Sequence, residues 1–267
     1  MPQYQHLNVT SLADGVVGVE LARPPANAVD REMYTEIRQL FGDVDQLGDG
    51  VRSIVLSGQG KHFCAGNDLD EFATMSPDNA VERMWRVREA FFSISGCSVP
   101  VIGAVHGAAL GTGLALAASC DFVVAARSSR FGLPELTVGV MGGARHLARM
   151  APQPLVRRMY FTGQPEAAEA FAAAGGSISV CDDDQLMAEA TRLAKRIASF
   201  SPTAVRVSKR VLDRIEWMNL IEGYEFEQGA TVRMSGHPDS KEALAAFREQ
   251  RSPVYQPRDD HRHWFGA

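Results

Sequence analysis

Short apolar stretches alternate along the chain with stretches in which apolar residues recur every three to four positions. The first pattern is typical of buried strands and the second of amphipathic helices. The predicted strands are Leu7 to Leu12, Val16 to Leu21, Val51 to Leu56, Pro100 to Val105 and Phe122 to Ala126. The predicted helices are the segment capped by Asp30, Ala80 to Ile94, Gly113 to Ser119, Asp184 to Ala198, Thr203 to Leu220 and Ser240 to Arg251. Strands that alternate with helices predict an α/β fold, and the chain is mainly helical from about Glu166 onward.

Composition limits the architecture and the partners. The 267 residues, 45% of them hydrophobic, are enough for one sizeable core. The net charge is −5, and the basic residues are scattered rather than clustered, so we expect no nucleic-acid partner.

One apolar run, Val99 to Ala118, approaches the length of a membrane span. Gly and Ala dominate it, and Pro100 and His106 interrupt it, so we interpret it as buried protein core and expect no membrane association. The first ten residues lack the basic and apolar regions of a signal peptide, which favours a cytoplasmic location.

The four cysteines show no C-x-x-C spacing, which argues against a zinc cluster or a disulfide framework. We expect Cys64, Cys97 and Cys120 to be small buried residues. His261 and His263 lie in a polar tail, so we expect them to be solvated and predict no metal site.

Several motifs for other chemistries are incomplete. Gly111 and Gly113 begin a G-x-G pattern, but Leu116 stands where a dinucleotide-binding loop needs a small residue. No G-x-S-x-G segment is present, so a hydrolase triad is unsupported.

Two loops rich in small residues each follow a predicted strand: "CAGNDL" at 64–69 and "GAALGTG" at 107–113. With the segments "LARPPANAV", "RFGLPELTVGV" and "DSKEALAAFREQRSPVY", they occur in the order found in the crotonase superfamily of enoyl-CoA hydratases and isomerases. The chain resembles this superfamily over nearly its whole length. The resemblance implies a crotonase-like ββα spiral core over 1–198, with the CoA and acyl site, and a helical trimerisation region over 199–267. It also implies a homotrimer or a dimer of trimers that acts on an acyl-CoA, with no cofactor beyond the CoA of the substrate.

In relatives, two backbone amides polarise the thioester carbonyl. The matching positions here are Asn67 and Thr112, where the family usually has Ala and Gly. Thr112 starts a predicted helix, whose first amides lack partners within the helix and whose dipole favours negative charge. Two such donors form an oxyanion hole, and each is typically worth about 2.7–4 kcal/mol.

The resemblance also implies where the rest of the substrate binds. The implied contacts are Lys61 near the CoA phosphates, Ala65, Gly66 and Leu69 around the adenine, Asp68 and Gly111 in the two loops, Met141 at the acyl pocket and Phe247 at a neighbouring subunit's CoA site. Lys61 has an alternative as a solvated loop residue, and Asp68 is expected to fix its loop rather than touch substrate. Gln250 stands where a lysine is common, which weakens that phosphate contact.

Hydratases of the family use two glutamates, and only one is present here. Glu135 occupies the F-G-x-P-E position, whereas Ala115 replaces the other. Holding and activating water for addition to a double bond needs both carboxylates, but one can move a proton beside a polarised thioester. We therefore expect an isomerase-type or other enolate reaction. The alternatives are a protein that binds acyl-CoA without hydratase chemistry, and Glu135 as an ordinary loop acid.

Other polar groups near these motifs are weaker candidates. Asp78, Glu82 or Glu89 on the helix over the acyl pocket of relatives could stand in for the missing acid, although charges on helices are mostly solvated. Arg145 and His146 could supply polar groups to the pocket, but we favour their lying on a helix face.

Overall fold

The computed structural model describes residues 3–258, so His261 and His263 lie outside the described residues. Nine strands are labelled β1 (Leu7–Ala13), β2 (Val16–Leu21), β3 (Ser53–Gly58), β4 (Val101–Val105), β5 (Ala108–Leu110), β6 (Phe122–Ala126), β7 (Arg130–Gly132), β8 (Glu166–Ala167) and β9 (Ser179–Cys181). The α-helices are α1 (Arg31–Gly42), α2 (Leu69–Ala73), α3 (Pro77–Ser95), α4 (Thr112–Ser119), α5 (Ala144–Met150), α6 (Gln153–Thr162), α7 (Ala168–Ala173), α8 (Leu186–Ala198), α9 (Pro202–Ile215), α10 (Leu220–Ser235) and α11 (Pro238–Glu249).

The main sheet has six strands in the order β1-β2-β3-β4-β6-β9. β1 is antiparallel to β2, and the remaining pairs are parallel. A second sheet orders β5-β7-β8, with β5 parallel to β7. The α/β fold is therefore confirmed, and the predicted strands are all present. β5, β7, β8 and β9 were not predicted, because two or three residues give too short a pattern to detect.

Both faces of the main sheet are buried, as is typical of parallel sheets. On one face, Val55, Ile102 and Val124 pack with Ala190 and Ala194 of α8. On the other face, Ile54, Leu56, Val101 and Val105 join the larger core, which also includes residues of α1, α3 and α4. The run Val99 to Ala118 lies in this core as β4, β5 and α4, as expected. Among the helices of residues 3–258, none is long and apolar enough to cross a bilayer.

The predicted helix Thr203 to Leu220 is present from Thr203 to Ile215 as α9, but its predicted C-terminal end is wrong. α9 ends at Ile215, and α10 begins at Leu220 after a turn. Asn219 caps the second helix, since its side chain accepts hydrogen bonds from the amides of Ile221 and Glu222. Apolar residues continue to recur at helical spacing through this turn, so the turn and α10 were not predicted. The division of the chain at 198/199 stays a prediction.

Candidate active site

The two glycine-containing loops lie side by side. The Cys64 amide donates to the Ala108 carbonyl at 3.0 Å, and the Leu110 amide donates to the Cys64 carbonyl at 3.0 Å. These bonds form a single parallel bridge between Cys64 and Ala109. The second loop thus enters α4 directly against the first loop.

Gly113, in the first turn of α4, makes this contact possible. A Cβ at this position would lie 2.0 Å from the Cys64 carbonyl oxygen, which is far inside van der Waals contact. The glycine therefore lets the helix N-terminus approach the first loop.

The Asn67 amide is left free by its local backbone pairing. Asn67 forms a parallel bridge with Val29, in which the bonds run from Val29 N to Gly66 O at 2.9 Å and from Asp68 N to Val29 O at 3.0 Å. In such a bridge, the N–H of the central residue points away from its partner. Within residues 3–258, this amide donates to no protein acceptor.

The Thr112 amide is free for a different reason. Thr112 is the first residue of α4, after Gly111, whose φ of 55° turns the chain sharply. The first amides of a helix have no intrahelical acceptor, and the helix dipole makes this end attractive to negative charge. Asn67 and Thr112 thus each present an unused backbone donor.

Glu135 begins a short 3₁₀ helix just after β7, and its carboxylate is shielded from solvent. Its Oε2 is buried and accepts no hydrogen bond within the described part of the chain. Burial raises the pKa of this carboxyl above its ordinary value, and a bond from its own amide offsets this only in part. The charged carboxylate is therefore poorly solvated and more basic than an exposed one.

Two glycines border the Glu135 carboxylate. A Cβ on Gly111 would lie 3.0 Å from Oε1, and one on Gly143 would lie 3.7 Å from it. Both glycines have positive φ, of 55° and 72°. Because Gly111 and Gly143 have no side chains, no side chain lies between the second loop and the Glu135 carboxylate at these two positions.

The two loops and Glu135 line one cavity of about 470 Å³. The predicted site residues that line it are Ala65, Gly66, Asn67, Asp68, Leu69, Gly111, Thr112 and Glu135. Ala26, Ala28, Asp70 and Phe72 also line it and were not predicted. The structure thus brings the two unused amides and the buried carboxylate to one cavity.

Asp68 fixes the first loop. Its carboxylate accepts from the Glu71 amide at 2.9 Å as the N-cap of α2, and it pairs with Arg23 at 2.7 Å. The Glu71 amide, followed by Arg23, holds the pKa of this carboxyl below its usual value. Arg23 also pairs at 2.9 Å with Asp30, the N-cap of α1. This network anchors the loop to the start of α1.

Three predicted binding residues do not line this cavity. Lys61 is exposed, Met141 is 83% exposed, and Phe247 is 82% exposed on α11. Phe247 and Gln250 border a different cavity, formed with the C-terminal tail. Their roles in CoA binding stay predictions.

Ala115 provides no acid, and no acid of α3 replaces it in the lining of the cavity. Its side chain is buried in the core, outside the lining of the 470 Å³ cavity. The acids of α3 also lie outside that lining: Asp78 is exposed, Glu82 pairs with Arg86, and Glu89 lies 4.0 Å from Arg88.

Arg145 and His146 lie on α5 and pack against aromatic rings. Arg145 stacks over Trp217 at 4.4 Å, and His146 contacts Phe91 edge to face at 4.9 Å. Burial, followed by two nearby arginines, lowers the pKa of His146 to about 4. The cysteines likewise need no chemical role: Cys64, Cys97 and Cys120 are buried free thiols.

Sequence reasoning missed Tyr34, which lies on α1 and is 2% exposed. Its hydroxyl contacts the side chains of both Asn67 and Thr112. Tyr34 follows Met33, which lies on the apolar face of this helix, so the sequence could have indicated that Tyr34 is buried. A buried tyrosine hydroxyl normally has a hydrogen-bond partner.

The fold and the cavity define an α/β protein in which two backbone donors and one buried carboxylate meet. Residues 11–258 match the model of the family described as "Enoyl-CoA hydratase/isomerase". The chain is 32% identical over 261 residues to the "Probable enoyl-CoA hydratase 2, mitochondrial" of Arabidopsis thaliana, covering 95% of this chain and 86% of the relative. It is also 32% identical over 227 residues to a "(7aS)-7a-methyl-1,5-dioxo-2,3,5,6,7,7a-hexahydro-1H-indene-carboxyl-CoA hydrolase" of Mycobacterium tuberculosis, covering 85% and 92% of the two chains.

The structure resembles a crystal structure of an enoyl-CoA hydratase from Bacillus anthracis, with a TM-score of 0.89 and 29% identity over 95% of this chain and 100% of that one. The chain therefore belongs to the enoyl-CoA hydratase/isomerase family, and the predicted crotonase fold is confirmed. It is an acyl-CoA enzyme of that family.

Proposed function

We propose that this enzyme moves a proton on the acyl group of a CoA thioester, with Glu135 as its single acid and base. The observation that carries the proposal is the Oε2 atom of Glu135, which is buried without a hydrogen-bond partner among the described residues, at a cavity also lined by Asn67 and Thr112. In the proposed complex, the amides of Asn67 and Thr112 donate hydrogen bonds to the thioester carbonyl oxygen and stabilise the enolate.

The steps balance without a cofactor. With a 3-enoyl-CoA, Glu135 takes a proton from C2, and the electron pair moves to the thioester oxygen as a dienolate. The same carboxyl group then returns the proton at C4, while the C2–C3 double bond forms. The reaction is an isomerisation, with no net oxidation or reduction.

The absence of an acid at the position of the second family glutamate supports this choice over water addition. Of the other carboxylates that line the cavity, Asp68 is held by Arg23 and the Glu71 amide, and Asp70 is exposed. Ala115 is buried in the core, and the acids of α3 do not line the cavity. The Mycobacterium tuberculosis relative is named as a hydrolase, so relatives carry out reactions other than water addition to a double bond.

The remaining parts of the proposal concern binding and assembly. Lys61 contacts the CoA phosphates, Met141 lies at the acyl end, and Phe247 reaches the CoA of a neighbouring subunit in a trimer or a dimer of trimers. The exposure of Phe247, Leu220 and Ile221 supports an assembly that covers this region. We propose a cytoplasmic location, and no cofactor other than the CoA of the substrate.

Product analysis in D₂O tests the reaction type. We expect the purified enzyme to convert a 3-enoyl-CoA to the 2-enoyl isomer, with deuterium entering at C2 or C4 where the carboxyl exchanges with solvent. Crotonyl-CoA should give little 3-hydroxybutyryl-CoA under the same conditions. Hydration as fast as isomerisation would refute the single-acid mechanism, whereas tight binding without any conversion would favour an acyl-CoA-binding protein that has lost its chemistry.

The pH profile reports the state of Glu135. The ionised carboxylate is the base, so kcat/KM should rise with pH as this group loses its proton. Because burial raises its pKa, the midpoint of the acid limb should lie above the ordinary glutamate value of 4.5. Stopped-time assays between pH 4 and 8, with enzyme stability checked at each pH, measure the limb; a midpoint below the ordinary value would contradict the assignment.

A further inference from the structure

The two loops are held together by backbone bonds only up to the glycines that precede the donor residues. The bonds between Cys64, Ala108 and Leu110 end there, and Gly66 and Gly111 then turn the chain with φ of 122° and 55°. The residues that follow these turns, Asn67 and Thr112, carry the two free amides. Backbone hydrogen bonds between the two loops therefore do not by themselves fix the relative position of the two amides.

Tyr34 supplies a further constraint through its hydroxyl group. The hydroxyl donates to Asn67 Oδ1 at 2.7 Å and lies 3.0 Å from Thr112 Oγ1. Tyr34 is 33 residues from Asn67 and 78 residues from Thr112 along the chain. Three elements distant in sequence are thus joined at one buried oxygen.

The direction of these bonds is fixed by the number of hydrogens. A phenol has one hydrogen, and an amide oxygen can only accept, so the Tyr34 hydrogen goes to Asn67. The Thr112 hydroxyl must therefore donate to Tyr34. The chain Thr112 to Tyr34 to Asn67 has one arrangement, and burial raises the pKa of the phenol, which keeps it protonated.

We propose that Tyr34 is a positioning residue, which sets the spacing of the Asn67 and Thr112 amides through hydrogen bonds to their side chains. This inference rests on the proposed function, because it concerns the donors that stabilise the enolate. It also explains why residues with polar side chains occupy both donor positions: each gives Tyr34 a hydrogen-bonding group.

Donors that act on the transition state affect kcat more than substrate binding, and small displacements at reacting groups are costly. We therefore expect Tyr34→Phe to lower kcat by about 10- to 100-fold with KM little changed. Thr112→Val should show a similar loss of kcat, whereas Thr112→Ser should retain activity. The double variant Tyr34→Phe/Thr112→Val should lose no more kcat than the more impaired of the two single variants.

Tyr4→Phe is the matched control. The Tyr4 hydroxyl is also buried, but it has no hydrogen-bond partner within the described residues, and Tyr4 does not line the 470 Å³ cavity. The same chemical change there should leave kcat and KM unaltered. A fully folded Tyr34→Phe enzyme with wild-type kcat would overturn the proposal, as would a loss that appears only as a raised KM.

Hydrogen exchange tests the positioning without any turnover. In Tyr34→Phe, the amides of segments 65–69 and 110–114 should exchange faster than in wild type, with the sheet amides unchanged; in Tyr4→Phe they should not. If no thioester is converted by the wild-type protein, the proposed function fails while this readout still applies. Unchanged exchange in both segments would refute the positioning role even in an active enzyme.

Discussion

The Glu135→Gln enzyme should lose about 100- to 10,000-fold in kcat, because general acid–base catalysis typically contributes a factor of this size. Glutamine matches glutamate in shape but can neither take nor return the proton. The backbone donors of Asn67 and Thr112 remain, so thioester binding should persist. Steady-state kinetics with a 3-enoyl-CoA, together with calorimetric binding of a saturated acyl-CoA, separate the two effects.

The same substitution should not weaken the fold. Burial raises the pKa of Glu135 in the folded protein, so folding favours its protonated form. The wild type therefore loses stability as pH rises from the unfolded pKa through the folded pKa. Glutamine does not ionise, and the stability of Glu135→Gln relative to wild type should increase over that interval. Urea unfolding at pH 4 and pH 8 measures this difference, which would have the opposite sign if the carboxylate were well paired.

Glu82→Gln and Glu89→Gln are the matched controls for the catalytic effect. Both glutamates lie on α3, at positions that sequence reasoning considered for the missing acid, and neither lines the cavity. Each variant should turn over substrate like the wild type. Wild-type turnover in Glu135→Gln, or a large loss in either control, would remove Glu135 from its proposed role.

The parts of the site carried by local motifs were predictable from sequence. The loop 64–69, the loop 107–113 and Glu135 are each recognisable over a few residues, and all three meet at the cavity. Asp68 was also expected to bond backbone amides, and it caps α2. Short segments of this kind impose their own backbone geometry, so pattern and structure agree.

The contacts between these segments were not predictable. Tyr34 joins two loops that lie 33 and 78 residues away, and nothing local to Tyr34 indicates those partners. The boundary between α9 and α10 was missed for a related reason, since apolar periodicity continues through the turn at Asn219. Both features depend on packing between residues that are distant in sequence, and a single sequence does not show which distant residues pack together.

Gly113→Ala should be strongly damaging although it leaves all polar groups intact. The absence of a side chain at Gly113 makes room for the Cys64 carbonyl oxygen. The new methyl group would lie 2.0 Å from that backbone oxygen, so α4 or the first loop must move by about 1 Å or more to restore van der Waals contact. Overpacking of this kind typically costs about 1–3 kcal/mol of stability. A 1 Å displacement of catalytic groups can cost about 100-fold in rate.

Gly229→Ala separates this steric effect from the general effect of replacing a helical glycine. Gly229 lies inside α10, and a Cβ there meets no atom within 4 Å. Alanine should therefore stabilise that helix by up to about 1 kcal/mol, with kcat unchanged. Thermal unfolding should show a lower stability for Gly113→Ala and a higher stability for Gly229→Ala. The kcat should fall in Gly113→Ala and stay unchanged in Gly229→Ala. If Gly113→Ala keeps wild-type kcat, the tight contact between α4 and the first loop does not set the donor geometry.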